Sequence, residues 1–448
     1  LHQPPSHPAF ALIAALLLAL PTPLAAQEVI TKQYAEGGVY RGTFKDGVQH
    51  GTGTYRLPNG YEYSGQWVNG EIHGQGMARY PDGAIYEGAF AHGAPDGQGT
   101  IRFADGGSYS GAWVAGEISG TGLRIYADGL RYEGRLNGGQ PEGEGRAEGP
   151  DGYIYQGLWA AGRKEGMGHA TYSDGSVYEG MFADDLRDGQ GRFTGADGLI
   201  YDGAWRAGQF HGQGHLRLPN GDIYEGALHE GQRHGKGRMT YANGDIYRGN
   251  FANDQPHGVG VLTGPDGFRY AGHWQQGRMH GAGRVRYGDG STYVGDWREG
   301  QAEGMGVAHY ANGLVYQGAF RNARPHGQGV MRHADGQSYT GAWIDGQREG
   351  AGIESFPDGE IYEGMFKANL RDGQGSLARP DGFHYTGGWK AGEMSGQGIT
   401  TETNGDRFEG MFNAGKRQGA GVLHPAAGGM VEGVWLDGVL IDPVDGKD

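Results

Sequence analysis

Tyr63-Ser-Gly-Gln-Trp-Val-Asn-Gly-Glu-Ile-His-Gly-Gln-Gly76, closed six residues later by Asp82-Gly83, is the stretch on which the fold turns. With Tyr63 as position 0, Gly65 and Trp67 share its parity, so a strand through them presents all three to one face. Ser64 and Gln66 turn to the other. Gly74 and Gly76 supply backbone without side chain, over which an aromatic ring from the adjacent strand can lie flat. Asp82-Gly83 is a strong hairpin signal, and a type I′ turn is expected there because that turn needs positive φ at both central residues. A second turn is expected between Asn69 and Gly74.

The stretch is not single. Its anchor recurs at Tyr40, Tyr63, Tyr86 and Tyr109, then at intervals of 23 residues without an insertion to Tyr385 and Phe408. A degenerate copy starts at Val431 and keeps Gly433 and Trp435. Position +4 is always large and apolar, and all nine tryptophans lie there. Trailing residues such as Gly97, Gly99, Ile101 and Phe103 share one face. A period of this length marks a stacked repeat architecture, in which each unit buries its apolar face against the next.

Composition agrees. Glycine accounts for 94 of 448 residues without the three-residue spacing of collagen, and aromatics at 11% are too frequent for a disordered glycine-rich linker. Cysteine is absent, which excludes a disulfide scaffold, a thiolate metal site and a cysteine nucleophile. The net charge of −15 disfavours attraction to nucleic acid or to anionic lipid. Residues 10–20 form an uncharged apolar run, followed by Leu24-Ala25-Ala26-Gln27, which suits a signal peptide cleaved after Ala26. The expected organisation is a signal peptide over 1–26, a linker over 27–38, the repeat array over 39–438 and a tail over 439–448. Periplasmic or secreted localisation follows from that reading, with the outer envelope as a further place of association.

The pattern Tyr-x-Gly-x-Phe/Trp-x-x-Gly-x-x-His-Gly-x-Gly, then Asp-Gly, resembles the MORN (membrane occupation and recognition nexus) repeat. The resemblance spans nearly the whole chain after residue 39. It departs at Asp185, Asp254, Ala323 and Asn369, which replace the glycine at +7, and at +10, where His gives way in most copies to Asp, Glu or Ser. It implies what the strand reading implies: an all-β, elongated, single-layer antiparallel β-meander of about 17 stacked 23-residue hairpins, wound as a twisted rod or half-pipe.

Nothing in so regular an array stands out as catalytic. Histidines at +10 recur about 10 Å apart, too far for neighbours to share one zinc ion. Gly231-Gln-Arg-His-Gly235-Lys236-Gly237 is one residue short of a phosphate loop and lacks its Ser/Thr. The expectation is a non-enzymatic scaffold with no metal, no cofactor and no nucleic-acid partner. It would bind a protein, or a second copy through its terminal repeats, along an aromatic trough. The trough residues are Trp67, Trp113, Trp159, Trp205, Trp274, Trp297, Trp343 and Trp389 with Tyr109, Tyr155 and Tyr201. Peripheral lipid association and glycan binding are the alternatives for the same rings.

Overall fold

The computed structural model describes residues 28–443. The expected signal peptide lies outside them. They form two compact units, divided between Glu165 and Gly166. Within each, strands adjacent in sequence pair antiparallel, so the all-β hairpin meander is borne out. Among the described residues there are 37 strands and no helix. The counted strands exceed the seventeen hairpins because Ile30–Gln33, within the expected linker, Val431–Leu436 of the degenerate copy, and Val439–Pro443, within the expected tail, also pair.

One hairpin serves for all. The leading strand Glu62–Val68 runs against the trailing strand Glu71–Arg79, with Glu62 opposite Arg79, Gly65 opposite Gly76 and Trp67 opposite Ile72. Gln66 therefore faces the stretch His73–Gln75, and the extra residues are absorbed as a bulge at Gly74, φ +73°. The +11 glycine has positive φ in every copy, from 59° at Gly281 to 114° at Gly120, so a side chain there would be strained at each bulge.

The turns exchange the roles expected of them. Positive φ at two successive residues occurs at +6 and +7, as at Asn69 (52°) and Gly70 (92°), and this two-residue loop is the type I′ turn. At Asp82-Gly83 only the glycine has positive φ. There Gly83 N–H donates to Tyr80 O at 3.0 Å and Tyr80 N–H to Ala84 O at 2.8 Å. That is a three-residue loop, a type I turn followed by a left-handed glycine. Asp82 Oδ1 accepts from Ala84 N–H at 2.9 Å, which explains why Asp and Asn interchange at this position. Asp185, Asp254, Ala323 and Asn369 hold the left-handed conformation normally given to glycine at +7, with φ between 60° and 74°.

The core is built from the anchors. Tyr86 is fully buried, and its ring lies over Gly88 and Gly99: a Cβ at Gly99 would come within 2.1 Å of the Tyr86 hydroxyl. On either side the ring meets Phe90 and Trp113 edge to face, each with centroids 5.0 Å away. Such pairs contribute about 0.5–1.5 kcal/mol beyond the area they bury. The same alternation recurs in the second unit, where Tyr247 lies between Phe251 at 5.1 Å and Trp274 at 5.2 Å. Every tyrosine anchor donates its hydroxyl to the carbonyl three residues on, at 2.6–3.0 Å.

Candidate functional site: clefts on the aromatic face

The trough residues identified from sequence belong to this core. Trp67, Trp113, Trp159, Trp205, Trp274, Trp297, Trp343 and Trp389 are each 9% exposed or less, and Tyr109, Tyr155 and Tyr201 are fully buried. In the trough these rings are therefore a buried lining and not exposed faces. Each Trp is covered by the Tyr of the preceding repeat and by its own, as Trp67 is by Tyr40 and Tyr63. Most indoles are also tied to backbone: Trp67 Nε1 donates to Gly53 O at 3.2 Å and Trp389 Nε1 to Gly375 O at 3.3 Å. Trp297 Nε1 is buried without a partner. Burial of the phenols raises their pKa, to about 12 at Tyr86, Tyr132, Tyr270 and Tyr316, so they are neutral donors at physiological pH.

What remains open on this face is a series of clefts in one frame. In the first unit, Trp113 (+4), Gly116 (+7) and Ile118 (+9) border a cleft of about 520 Å³ with Ile101, Phe103 and Tyr80. In the second, Trp343, Gly346 and Arg348 hold the same three positions beside a cleft of about 340 Å³ with Met331 and His333. Trp389, Gly392 and Met394 repeat the arrangement beside a larger cleft of about 640 Å³ that includes Arg371, Arg379 and Arg417. The Trp–Gly frame is constant and the residues at +9, +15 and +17 change. The chemistry therefore differs from cleft to cleft: Ile101, Phe103 and Ile118 with Asp82, Glu117 and Arg124 in the first, and a cluster of arginines in the last.

The charged end is highly organised. Glu354 occupies +15, a position filled elsewhere by buried Ile101, Leu216 or Val285, and is itself 5% exposed. Its carboxylate receives Arg348 Nη1 at 2.5 Å, Arg371 Nη2 at 3.0 Å and Gln337 Nε2 at 3.2 Å. Arg371 continues to Glu360 at 3.2 Å, and Arg379 meets the other Glu360 oxygen at 2.8 Å. The guanidiniums also lie over rings, Arg371 over Tyr362 at 4.8 Å and Arg187, at the equivalent position, over Trp205 at 4.1 Å.

The +10 column is a turn device. Asp96 Oδ2 accepts from Ala115 N–H at 3.0 Å and Asp188 Oδ2 from Ala207 N–H at 3.0 Å, each capping the type I′ turn of the next repeat. His50 and His326 accept through Nδ1 at 3.4 Å in the same place. Among the described residues no group of three or more His, Asp or Glu side chains is placed to hold a metal ion. No helix there is long and apolar enough to cross a membrane, which says nothing of strands.

One surface escaped the sequence reading. The opposite sheet face of the second unit changes character along the chain: Glu179, Arg192, Asp202, His215, Glu225 and Arg238 succeed one another across paired strands. Farther on, Val259, Val294 and Met305 are 58%, 48% and 63% exposed. The parity of each column was visible, but the cross-strand neighbours that make a strip of it were not. Among the described residues the terminal strands Ile30–Gln33 and Val439–Pro443 are each paired on one side only, and they carry exposed Ile30, Val439 and Ile441.

Comparison with known proteins gives a family match across the array. Seventeen consecutive stretches, from residues 40–60 to 408–429, match the MORN repeat. Curated protein sequences yield no match. Solved structures that match include the TCP domain of Drosophila melanogaster SAS-4, in complex with a proline-rich motif of Ana2, at 17% identity over 39% of this chain and 89% of that one, TM-score 0.23. The TCP10 domain of Danio rerio CPAP with a STIL peptide matches at 13% identity over 60% and 94%, TM-score 0.17. Staphylococcus aureus virginiamycin B lyase matches at 13% over 72% and 98%, TM-score 0.12. At these scores the last three carry no functional argument.

Proposed function

The chain belongs to the MORN repeat family, and from that premise we propose that it is a non-catalytic scaffold that binds a protein partner in the cell envelope along the clefts of its aromatic face. One observation carries the reading: the same Trp–Gly-bordered cleft recurs at residues 113–118, 343–348 and 389–394 with a different lining each time. A rigid frame with variable side chains at fixed spacing suits recognition of an extended segment, with successive clefts taking successive side chains. The buried tryptophans act as floor and spacer, and the groups in contact are those at +9, +15 and +17. The half-paired terminal strands support self-association as a second mode, because an open edge offers unspent backbone donors and acceptors. The envelope setting is supported by the apolar run at residues 10–20 and Ala26-Gln27.

Site-specific photo-crosslinking tests the cleft reading. A photoreactive phenylalanine analogue at Phe103, Ile118, His333 or Met394 should give a discrete protein adduct in an envelope preparation. The same group at Val294 or Met305, on the opposite face, should not. Adducts from the opposite face alone would overturn the assignment.

A further inference from the structure

The cleft beside Trp389 contains a buried polar group that the fold itself does not satisfy. Thr400 sits at +15, in register between Tyr385 and Phe408, and is 2% exposed. Its Oγ1 has no hydrogen-bond partner. An aliphatic residue would serve the core better, as Leu377 does one repeat earlier. Leaving a hydroxyl unpaired in such a place is unfavourable unless something outside the chain completes it. Thr400 lines the cleft with Leu377, Trp389, Phe412, Arg371 and Arg417.

The hydrogen-bonding capacity left over there is weighted towards donors. Both oxygens of Glu354 and both of Glu360 are taken by the arginines already named. A guanidinium carries five N–H donors in a planar fork. Arg371 commits Nε and Nη2, Arg379 commits Nε alone, and Arg417 commits Nη2 alone, to Glu402 at 2.8 Å. Glu402 commits only Oε1 and Glu393 lines the same cleft, but the uncommitted N–H groups of Arg371, Arg379 and Arg417, with those of Lys416, outnumber the oxygens these two carboxylates offer, so donors are in surplus, beside a wall of Trp389, Phe412, Leu377 and Met394. The complement of that arrangement is an acceptor with no donors, attached to an apolar body.

We propose that this cleft binds a carboxylate carried on an apolar residue, as at the free C-terminus of a peptide ending in a hydrophobic side chain. The carboxylate accepts from Thr400 Oγ1 and from the uncommitted arms of Arg371 and Arg417, and the side chain lies against Trp389 and Phe412. The inference deepens the scaffold reading for one cleft and rests on it.

Titration of the full chain with N-acetyl-Leu-Phe, against the same dipeptide as its C-terminal amide, tests the proposal by calorimetry. The free acid should bind at least about tenfold more tightly, the loss expected when a charge-assisted hydrogen bond is removed. Thr400→Val should weaken the acid to a similar extent while raising the melting temperature, because it removes the unpaired hydroxyl. Arg417→Gln should weaken the acid and leave the amide unchanged. Equal binding of acid and amide, or full binding by a Thr400→Val chain that is still folded, overturns the proposal. If neither dipeptide binds while crosslinks form at Ile118 and His333, the carboxylate site falls and the scaffold reading stands.

Discussion

Gly260→Ala isolates the contact between ring and glycine that the fold depends on. Gly260 does not have positive φ, so alanine meets no backbone strain there. A Cβ would, however, lie 2.3 Å from the Tyr247 hydroxyl and 2.5 Å from Cζ. The ring cannot swing away freely, being held between Phe251 and Trp274 with its hydroxyl bonded to Asn250 O at 2.9 Å. Ordinary van der Waals contact requires a displacement of about 1 Å. Overpacking costs about 1–3 kcal/mol, and the lost hydroxyl bond adds about 1. Weakening of two edge-to-face pairs brings the total to about 3–5 kcal/mol. Gly277→Ala is the control: φ is +78° with nothing within 4 Å of the added carbon, so only left-handed strain of about 1–2 kcal/mol applies. Guanidinium melts of the full chain, with hydrogen exchange across 247–275, would measure both. Because a repeat array need not unfold in one step, the local exchange readout decides. In a Tyr247→Ala background the Gly260→Ala penalty should vanish, a coupling of at least about 2 kcal/mol. A Gly260→Ala chain no less stable than Gly277→Ala, or additive behaviour in the cycle, would refute ring seating as the reason for this glycine.

Ala323→Gly should stabilise by about 1 kcal/mol, since Ala323 has φ +60° at a site where most repeats use glycine; calorimetry of the two chains compares them. Stability should fall steeply in alkali. Burial raises the anchor phenols above their unfolded pKa near 10, to about 12 at Tyr86, Tyr270 and Tyr316, so the native state retains more protons above pH 10. Stability is therefore intact below pH 10 and is lost as pH rises from 10 through 12, at up to about 1.4 kcal/mol per pH unit for each such tyrosine. Circular dichroism against pH gives the midpoint, and retention of the fold at pH 12 would contradict phenol burial. Glu354→Gln strands Arg348 and Arg371 and should cost about 2–3 kcal/mol, below the value for fully buried pairs because both arginines keep some solvent; chemical melts read it directly. Intact-mass analysis of the chain recovered from outside the cytoplasm should give a product beginning at Gln27.

Much of this molecule was legible because each repeat restates the same local physics. Tyr86, Gly88 and Phe90 share parity, and parity alone places them on one face. The close seat of ring on glycine followed from the absence of a Cβ at Gly99. The turn assignment misled because Asp-Gly satisfies two loop types equally. Only the bond from Tyr80 N–H to Ala84 O shows a three-residue loop, while the less uniform Asn69-Gly70 takes the two-residue one. The clefts could not be read at all. Whether Trp389 is a surface or a floor depends on Tyr362 from the preceding repeat, and the polarity of the cleft depends on Thr400 and Arg417 from strands that follow. Such a meeting of neighbouring hairpins has no signature in any single one.

The strand pairing has a consequence for how the chain acquires its structure. Glu62 finds Arg79 and Arg79 finds Ile85, so ladder partners in this hairpin and the next are separated by less than one period. Adding a repeat lengthens the protein without lengthening the loop that any contact must close, and the entropic barrier to each closure stays constant. Folding can then proceed from one end as residues emerge from a ribosome or a translocation pore, each hairpin docking on the one completed before it. An excision of a whole period, such as residues 224–246, should leave the flanking ladders able to rejoin, whereas removal of one residue fewer would turn every ring beyond the cut to the wrong face.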